Sequence, residues 1–422
     1  MSYYEALLAQ VKLPRMVHVQ QTIESHRLEH VTEAVRAAIE DFPRLERVRG
    51  KQVALAVGSR GIANLVEIVA ETVACLRRRG AEVFLVPAMG SHGGADAANQ
   101  ELLLRHLGIC EETVGAPIRS SMETVVLCRT EDGVPVHFDK NAAQADYTVS
   151  IARIKPHSSF RGRYESGMVK MCVIGLGKQR GADYCHQQGM ERMAQNLEKI
   201  GRASIPHSNL LFSLGLLEDG RDDTAKVLAI PAEEILEAEP ALLEEAKGYL
   251  PRIPLGNLDV LVVDEFGKNI TGTGMDSNII QRFTSEYRAA QPVAKRVVTL
   301  RLTPESDGNA SGFGLADIST RRAFEAMSFE KTYPNSLTAR TVRGCMLPMI
   351  MESDYDAIRA AVKTAPAVDY DHIRLLRLRN TLRMEQFAIS EALLPEAERT
   401  PGLRICSEPF EWGFDSQGNL MI

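Results

Sequence analysis

An α/β fold is predicted for this chain by three observations. Short apolar runs ending at glycine or proline alternate with stretches of helical periodicity through the first hundred residues. Those runs are continuously apolar, as strands buried on both faces of a sheet require. At 422 residues the chain is also long enough for two or three domains of about 150 residues each.

The elements follow in order. Gln52 to Val57 (QVALAV) is a strand stopped by Gly58, and Gly58-Ser59-Arg60-Gly61 is a loop. Residues 62–79 place Leu65, Ile68, Val69, Val73 and Leu76 at helical spacing, with basic residues in the last turn and Gly80 as the stop. Ala81 to Pro87 is the next strand, leading to Met89-Gly90-Ser91-His92-Gly93-Gly94, and Asp96 or a neighbour caps a helix running through Leu104. Strand, helix, strand and helix in this order give a largely parallel, Rossmann-like sheet with right-handed crossovers and flanking helices. Asp146 to Ile154 is a further strand, halted at Pro156, and residues 161–190 form a glycine- and base-rich loop followed by a helix. Within 231–248, Pro240 predicts two short helices. Pro251 to Gly256 (PRIPLG) is a linker, and Leu258 to Asp264 opens a second α/β unit. The expected domains are 1–253, carrying the candidate site, and a smaller α/β domain over 254–422 that closes on it, with the active site in the cleft between them.

Composition excludes several classes. Apolar residues make up 45% and charged residues 25% of the chain, so it folds and is neither disordered nor collagen-like. A net charge of −6 without a long basic run argues against nucleic acid as a partner. Seven cysteines without a C-x-x-C pair fit neither a disulfide framework nor a cysteine zinc site, and suggest a reducing compartment. The opening segment lacks a signal pattern and no apolar run reaches the roughly 18 residues that span a bilayer, so a cytoplasmic protein without membrane contact is expected. Oligomeric state is not legible.

In open parallel sheets, ligands bind outside the carboxyl ends of the strands. Three predicted strands here end in reactive groups: Ser59 and Arg60, then His92, then Lys155 and His157. Each alone reads equally as a surface charge, a turn residue or a hydrogen-bonded core histidine; their shared position favours a site. The densest stretch is 155–186, with Lys155, His157, Arg161, Lys170, Lys178, Arg180 and His186 among several glycines. A solvated basic loop is one reading. Another is an anion loop at Gly175-Leu176-Gly177-Lys178, although its spacing matches neither a Walker A motif nor a dinucleotide fingerprint.

In order and type these residues resemble the nickel-dependent lactate racemases, which carry a nickel-pincer nucleotide. That family ends one strand in Thr-Arg, another in a Gly-Thr-His turn and a third in Pro-His, followed by Ser-Gly, a lysine and a further histidine. This chain supplies Ser59-Arg60, Gly90-Ser91-His92, Pro156-His157, Ser166-Gly167, Lys170 and His186. It departs where Val57 stands for an acidic residue, where Gly93-Gly94 follows the histidine, and in a longer interval from His157 to Lys170. The resemblance implies a racemase or epimerase of a 2-hydroxy acid. It gives Lys170 the covalent attachment of the cofactor and His186 the ligation of nickel. His92 and His157 become the acid/base pair, with Arg60, beside Ser59, orienting cofactor or substrate. A second-domain lysine binds the substrate in that family. Lys268 would take this role across the cleft, although Asp264 to Asp276 reads equally as a tight turn plus helix cap.

The chemistry is coherent with these residues. The α C–H of a hydroxy acid is far too weakly acidic for an imidazole of pKa near 6.5, so a cofactor must act as electron sink. With that sink, a base need only remove the hydroxyl proton, a task suited to histidine. Two alternatives remain: a non-catalytic protein binding a small anion or nucleotide in the same cleft, and a hydrolase or lyase with an ordinary metal. The lack of H-x-H and H-E-x-x-H motifs counts against the latter. His137, His207 and His372 read as structural, Cys345 with Met346, Met349 and Met351 as core packing, and Asp307 to Asp317 as a turn-rich connection.

Overall fold

The computed structural model describes residues 3–59, 61–285 and 291–421. They form two compact units, one of Glu24–Leu250 and one of Met1–Ile23 with Pro251–Ile422. The division falls at the PRIPLG segment, but the expectation of a first domain over 1–253 needs correcting at its start. Strand β1 (Met16–Gln21) belongs with the C-terminal part of the chain, because it pairs antiparallel with Arg383–Ser390 and with Leu403–Ile405. Pairing across so long a separation leaves no local signal.

In the unit Glu24–Leu250 the strands are β2 (Gln52–Val57), β3 (Glu82–Pro87), β4 (Thr124–Arg129), β5 (Pro135–Asp139), β6 (Tyr147–Arg153), β7 (Leu210–Glu218) and β8 (Thr224–Pro231). The main sheet has the order β3-β2-β6-β7-β8. Its first four strands are parallel, and β8 closes the edge antiparallel to β7. Strands β4 and β5 form a separate hairpin. Helix Leu65–Arg78, predicted over 62–79, presses Ile68, Val69, Val73 and Leu76 onto the sheet beside Leu55 and Leu85. All six are fully or almost fully buried, and each contributes about 1.5–3 kcal/mol relative to exposure.

Residues 231–248 depart from the two-helix expectation. One helix runs from Ile235 to Tyr249 with Pro240 inside it. Pro240 lacks the N–H that would bond Leu236 O, and that orphaned carbonyl accepts instead from the hydroxyl of fully buried Tyr164 at 2.7 Å. A side chain from a distant loop thus replaces the missing backbone bond, and the helix continues.

The second unit carries β9 (Leu258–Phe266), β10 (Ala294–Leu302), β11 (Ile318–Thr320), β12 (Met349–Met351), β13 (Leu375–Asn380), β14 (Arg383–Ser390) and β15 (Leu403–Ile405). With β1 they make an eight-stranded sheet in the order β12-β11-β10-β9-β13-β14-β1-β15. The five strands from β12 to β13 are parallel, and the last three alternate in direction. Because β12 is the edge, Met346 and Met349 stand about half exposed, at 56% and 52%, which corrects their reading as core. Met351 alone of that group is buried. Among the described residues no helix is long and apolar enough to cross a membrane.

Candidate active site

The carboxyl ends of β3, β2 and β6 lie side by side in the first unit. Ser59 follows β2, His92 follows β3, and Lys155 and His157 follow β6. With neighbouring parallel strands about 4.8 Å apart, the ends that carry the two histidines are roughly 10 Å apart, with β2 between them. Arg60 lies outside the described residues.

The β2 and β3 loops meet through Ser59, whose Oγ is 2.5 Å from Nδ1 of His92. His92 itself is exposed. Its turn is held from beneath by Gln100, which donates to the carbonyls of Gly90 (2.9 Å) and His92 (3.0 Å). Fully buried Lys178 supports Gln100, and the two glycines before it do not cradle an anion. A β-carbon at Gly177 would collide with Val173 O, so Gly177 serves close packing. The ammonium of Lys178 turns inward, where it donates to Pro87 O at 2.5 Å and pairs with Asp139 at 3.0 Å. That overturns the anion-loop reading.

The His157 loop is built from its own side. Lys155 and Ser166 exchange backbone hydrogen bonds of 3.0 and 3.2 Å, closing the loop and leading directly into the segment that carries Lys170. Inside it, the fully buried Glu165 accepts the His157 N–H at 2.7 Å and pairs with Lys247 at 3.1 Å. Arg161 donates to the carbonyls of His157 (2.5 Å) and Phe160 (3.0 Å), so this base is not a solvated charge. The imidazole lies against Phe160, with ring centroids 4.3 Å apart, and its Nδ1 accepts the Ser159 N–H at 3.1 Å. In its neutral form the ring therefore carries its proton on Nε2. Burial holds His157 well below the usual histidine range, and the charges of Lys170, Lys155, His186 and Arg161 press it further down.

Lys170 ends the short helix Met168–Lys170, which passes through a π-turn (Met171–Gly175) toward helix Lys178–Gln187, where His186 occupies the last turn. The start of this segment is anchored by Glu239, which accepts the Val169 N–H at 2.8 Å. A β-carbon at Gly167 would meet the Glu239 carboxyl, so a larger residue there would displace that carboxyl from its place. Burial raises the Glu239 carboxyl to about 7, against the two backbone N–H groups that lower it. The thiols of Cys172 and Cys185 in the same segment are pushed up to about 12 by burial. Lys170 and His186 are themselves half-buried.

Lys268 belongs to the second unit, just beyond β9. Its N–H donates to Ser306 Oγ at 2.7 Å and its ammonium to Gly272 O at 2.6 Å, within its own turn, while Asp276 caps helix Ser277–Ile280. His137, His207 and His372 each bond locally, to Thr124, Ala203 O and Asp369. Among the described residues no group of three or more His, Cys, Asp or Glu is placed to hold a metal. Sequence reasoning missed Gln100, Asp139, Glu165, Glu239 and Lys247. Only Glu239 carried a hint, standing just before a proline inside a helical run.

No protein-family model matches the chain, and no curated protein matches it. Solved structures similar to it include the following two. The lactate racemase apoprotein from Thermoanaerobacterium thermosaccharolyticum shares 14% identity over 68% of this chain and 74% of that one, with a TM-score of 0.44. A Thermotoga maritima protein solved by the Northeast Structural Genomics Consortium shares 15% over 66% of this chain and 72% of that one, with a TM-score of 0.48.

Proposed function

We propose that this chain is a racemase or epimerase of a 2-hydroxy acid, an isomerase that works with a nickel-pincer nucleotide attached at Lys170 and with nickel ligated by His186. The observation that carries the reading is the convergence of Ser59, His92, Lys155 and His157 at three neighbouring parallel strand ends, with Lys170 and His186 on the segment into which the Lys155–Ser166 pairing leads.

The residues suit that group. His186 offers one imidazole, and the nearby thiols of Cys172 and Cys185 stay protonated, which leaves softer donors to the bound group. When bound, the pyridinium supplies an acceptor for the electron pair of the breaking C–H bond. The protein's own residues bind and move protons around it. Exposed His92 takes the hydroxyl proton of the substrate, with Ser59 fixing its ring. Neutral His157 presents Nε2–H to the oxygen from the other side of β2. Arg60, adjacent to Ser59, clamps the carboxylate bidentately.

Intact mass and nickel content, measured on protein made in a host that synthesises the cofactor, test this reading. A covalent adduct lost in Lys170→Ala, with nickel lost in His186→Ala, is expected. Interconversion of D- and L-hydroxy acids, followed by chiral chromatography, completes the assignment. Absence of both adduct and nickel under those conditions overturns it and leaves the anion-binding alternative.

A further inference from the structure

Three polar side chains lie beneath the His92 turn, all shut off from solvent. Asp139 ends β5, Lys178 opens helix Lys178–Gln187, and Gln100 sits in helix Ala97–His106; each is fully buried. Lys178 pairs with Asp139 at 3.0 Å, donates to Pro87 O at 2.5 Å and donates to Gln100 Oε1 at 3.3 Å. The Gln100 amide passes the connection on to the carbonyls of Gly90 and His92. A continuous polar chain therefore runs from Asp139 to the backbone of the turn. Gly90 N also donates directly to Gly175 O at 3.2 Å, inside the segment between Lys170 and His186.

Two features argue that this arrangement fixes geometry. Lys178 has a φ of 54°, a left-handed conformation that non-glycine residues seldom take and that persists only where the surroundings over-determine it. A buried ion pair, moreover, is often no more stabilising than apolar side chains of the same volume, and in some proteins its gain is conformational specificity.

We propose that Lys178 is a positioning residue for His92: with Asp139 and Gln100 it locks the His92 turn onto the segment that carries Lys170 and His186. The significance of His92 rests on the racemase reading, but the brace is a property of the protein without any bound group, and its test needs none.

The test uses full-length protein purified without cofactor and labelled with 15N in histidine, with the His92 ring signals identified by their loss in His92→Gln. Two variants cut the brace at different points. Lys178→Met with Asp139→Leu replaces the pair by apolar side chains. Gln100→Met leaves the pair intact and removes the bonds to the turn. Each is expected to shift and broaden the His92 ring signals while those of His207, bonded to Ala203 O, stay in place. Unmoved His92 signals in a folded variant overturn the proposal, and Gln100→Met decides if the paired replacement fails to fold. In loaded enzyme, Gln100→Met lowers kcat roughly 10- to 100-fold, as slight misplacement of a reacting group does. A wild-type protein that does not racemise while His92 responds to Gln100→Met would sink the racemase reading and leave the brace standing. A racemase whose His92 signals ignore both variants would do the reverse.

Discussion

His92 and His157 end strands on either side of β2, and position in the sheet makes them a pair. Their surroundings do not. His92 is exposed and shares a short hydrogen bond with a hydroxyl, on a turn fastened from below by buried side chains of other elements. His157 is crowded by cations in a loop fastened by its own Glu165 and Arg161, and a backbone N–H occupies its Nδ1. The difference teaches that a strand end sets where a group stands, while the layer behind it sets which partners the ring meets. The two surroundings are therefore asymmetric: Nδ1 of His157 is committed as an acceptor, whereas Nδ1 of His92 can either accept from the Ser59 hydroxyl or donate to it.

The sharpest way to break the comparison is to remove each ring in turn. His92→Ala and His157→Ala are each expected to slow racemisation by about 10²- to 10⁴-fold, the range for a lost acid or base. Mass spectrometry should find the adduct at Lys170 retained in both. Full turnover in either variant would show that the pair does not share the reaction.

The supports come next. Glu165→Ala leaves Lys247 and the His157 N–H without their buried carboxylate, and Asp139→Ala strands the buried ammonium of Lys178. Stranding the fully buried Lys178 costs about 3–5 kcal/mol, whereas Lys247 keeps Glu244 at 2.8 Å, so Glu165→Ala costs about 1–3 kcal/mol for the unpaired His157 N–H; both are readable in denaturant midpoints. A loss below about 1 kcal/mol in Asp139→Ala would contradict the buried pairing.

Acidity sharpens the comparison further. His157 is held well below 6.5, so the unfolded chain binds a proton that the folded chain refuses. Stability is then full above about pH 6.5 and is lost as pH falls toward the folded value, by at most about 1.4 kcal/mol per unit. His157→Asn should flatten that slope in midpoints measured from pH 7 to 5. Glu239 behaves oppositely. Raised from 4.5 to about 7, it favours the folded state at low pH, and its contribution is lost as pH rises through that window. Glu239→Gln should therefore make stability above pH 7 less unfavourable relative to wild type. Parallel curves for wild type and both variants would remove these groups from the account.

What was legible in the sequence is what local pattern controls. Continuous apolar runs marked β2, β3 and β6, and the helix Leu65–Arg78 showed its periodicity, so the strand ends and their reactive groups followed. What was not legible is carried by distant partners. Tyr164 rescues the carbonyl orphaned by Pro240, and β1 joins strands nearly four hundred residues away. Lys178 read as an anion ligand because lysine after glycines suits either role, and only the tertiary fold decides that its ammonium turns inward to Asp139. Candidate groups were visible one at a time; the side chains that hold them were not.

The smallest expected effect isolates the bond on which the asymmetry turns. Ser59→Ala removes the hydroxyl from Nδ1 of His92 and leaves the rest of the turn intact. A single hydrogen bond is worth about 0.5–1.5 kcal/mol, so turnover should fall roughly 2- to 13-fold. The same variant should change the 15N shifts of the His92 ring, whose Nδ1 loses the hydroxyl. His157 offers no matching substitution, because its Nδ1 partner is a backbone N–H that Ser159→Ala retains. Unchanged turnover together with unchanged His92 ring shifts in Ser59→Ala would remove the hydroxyl as the cause of any difference between the two rings.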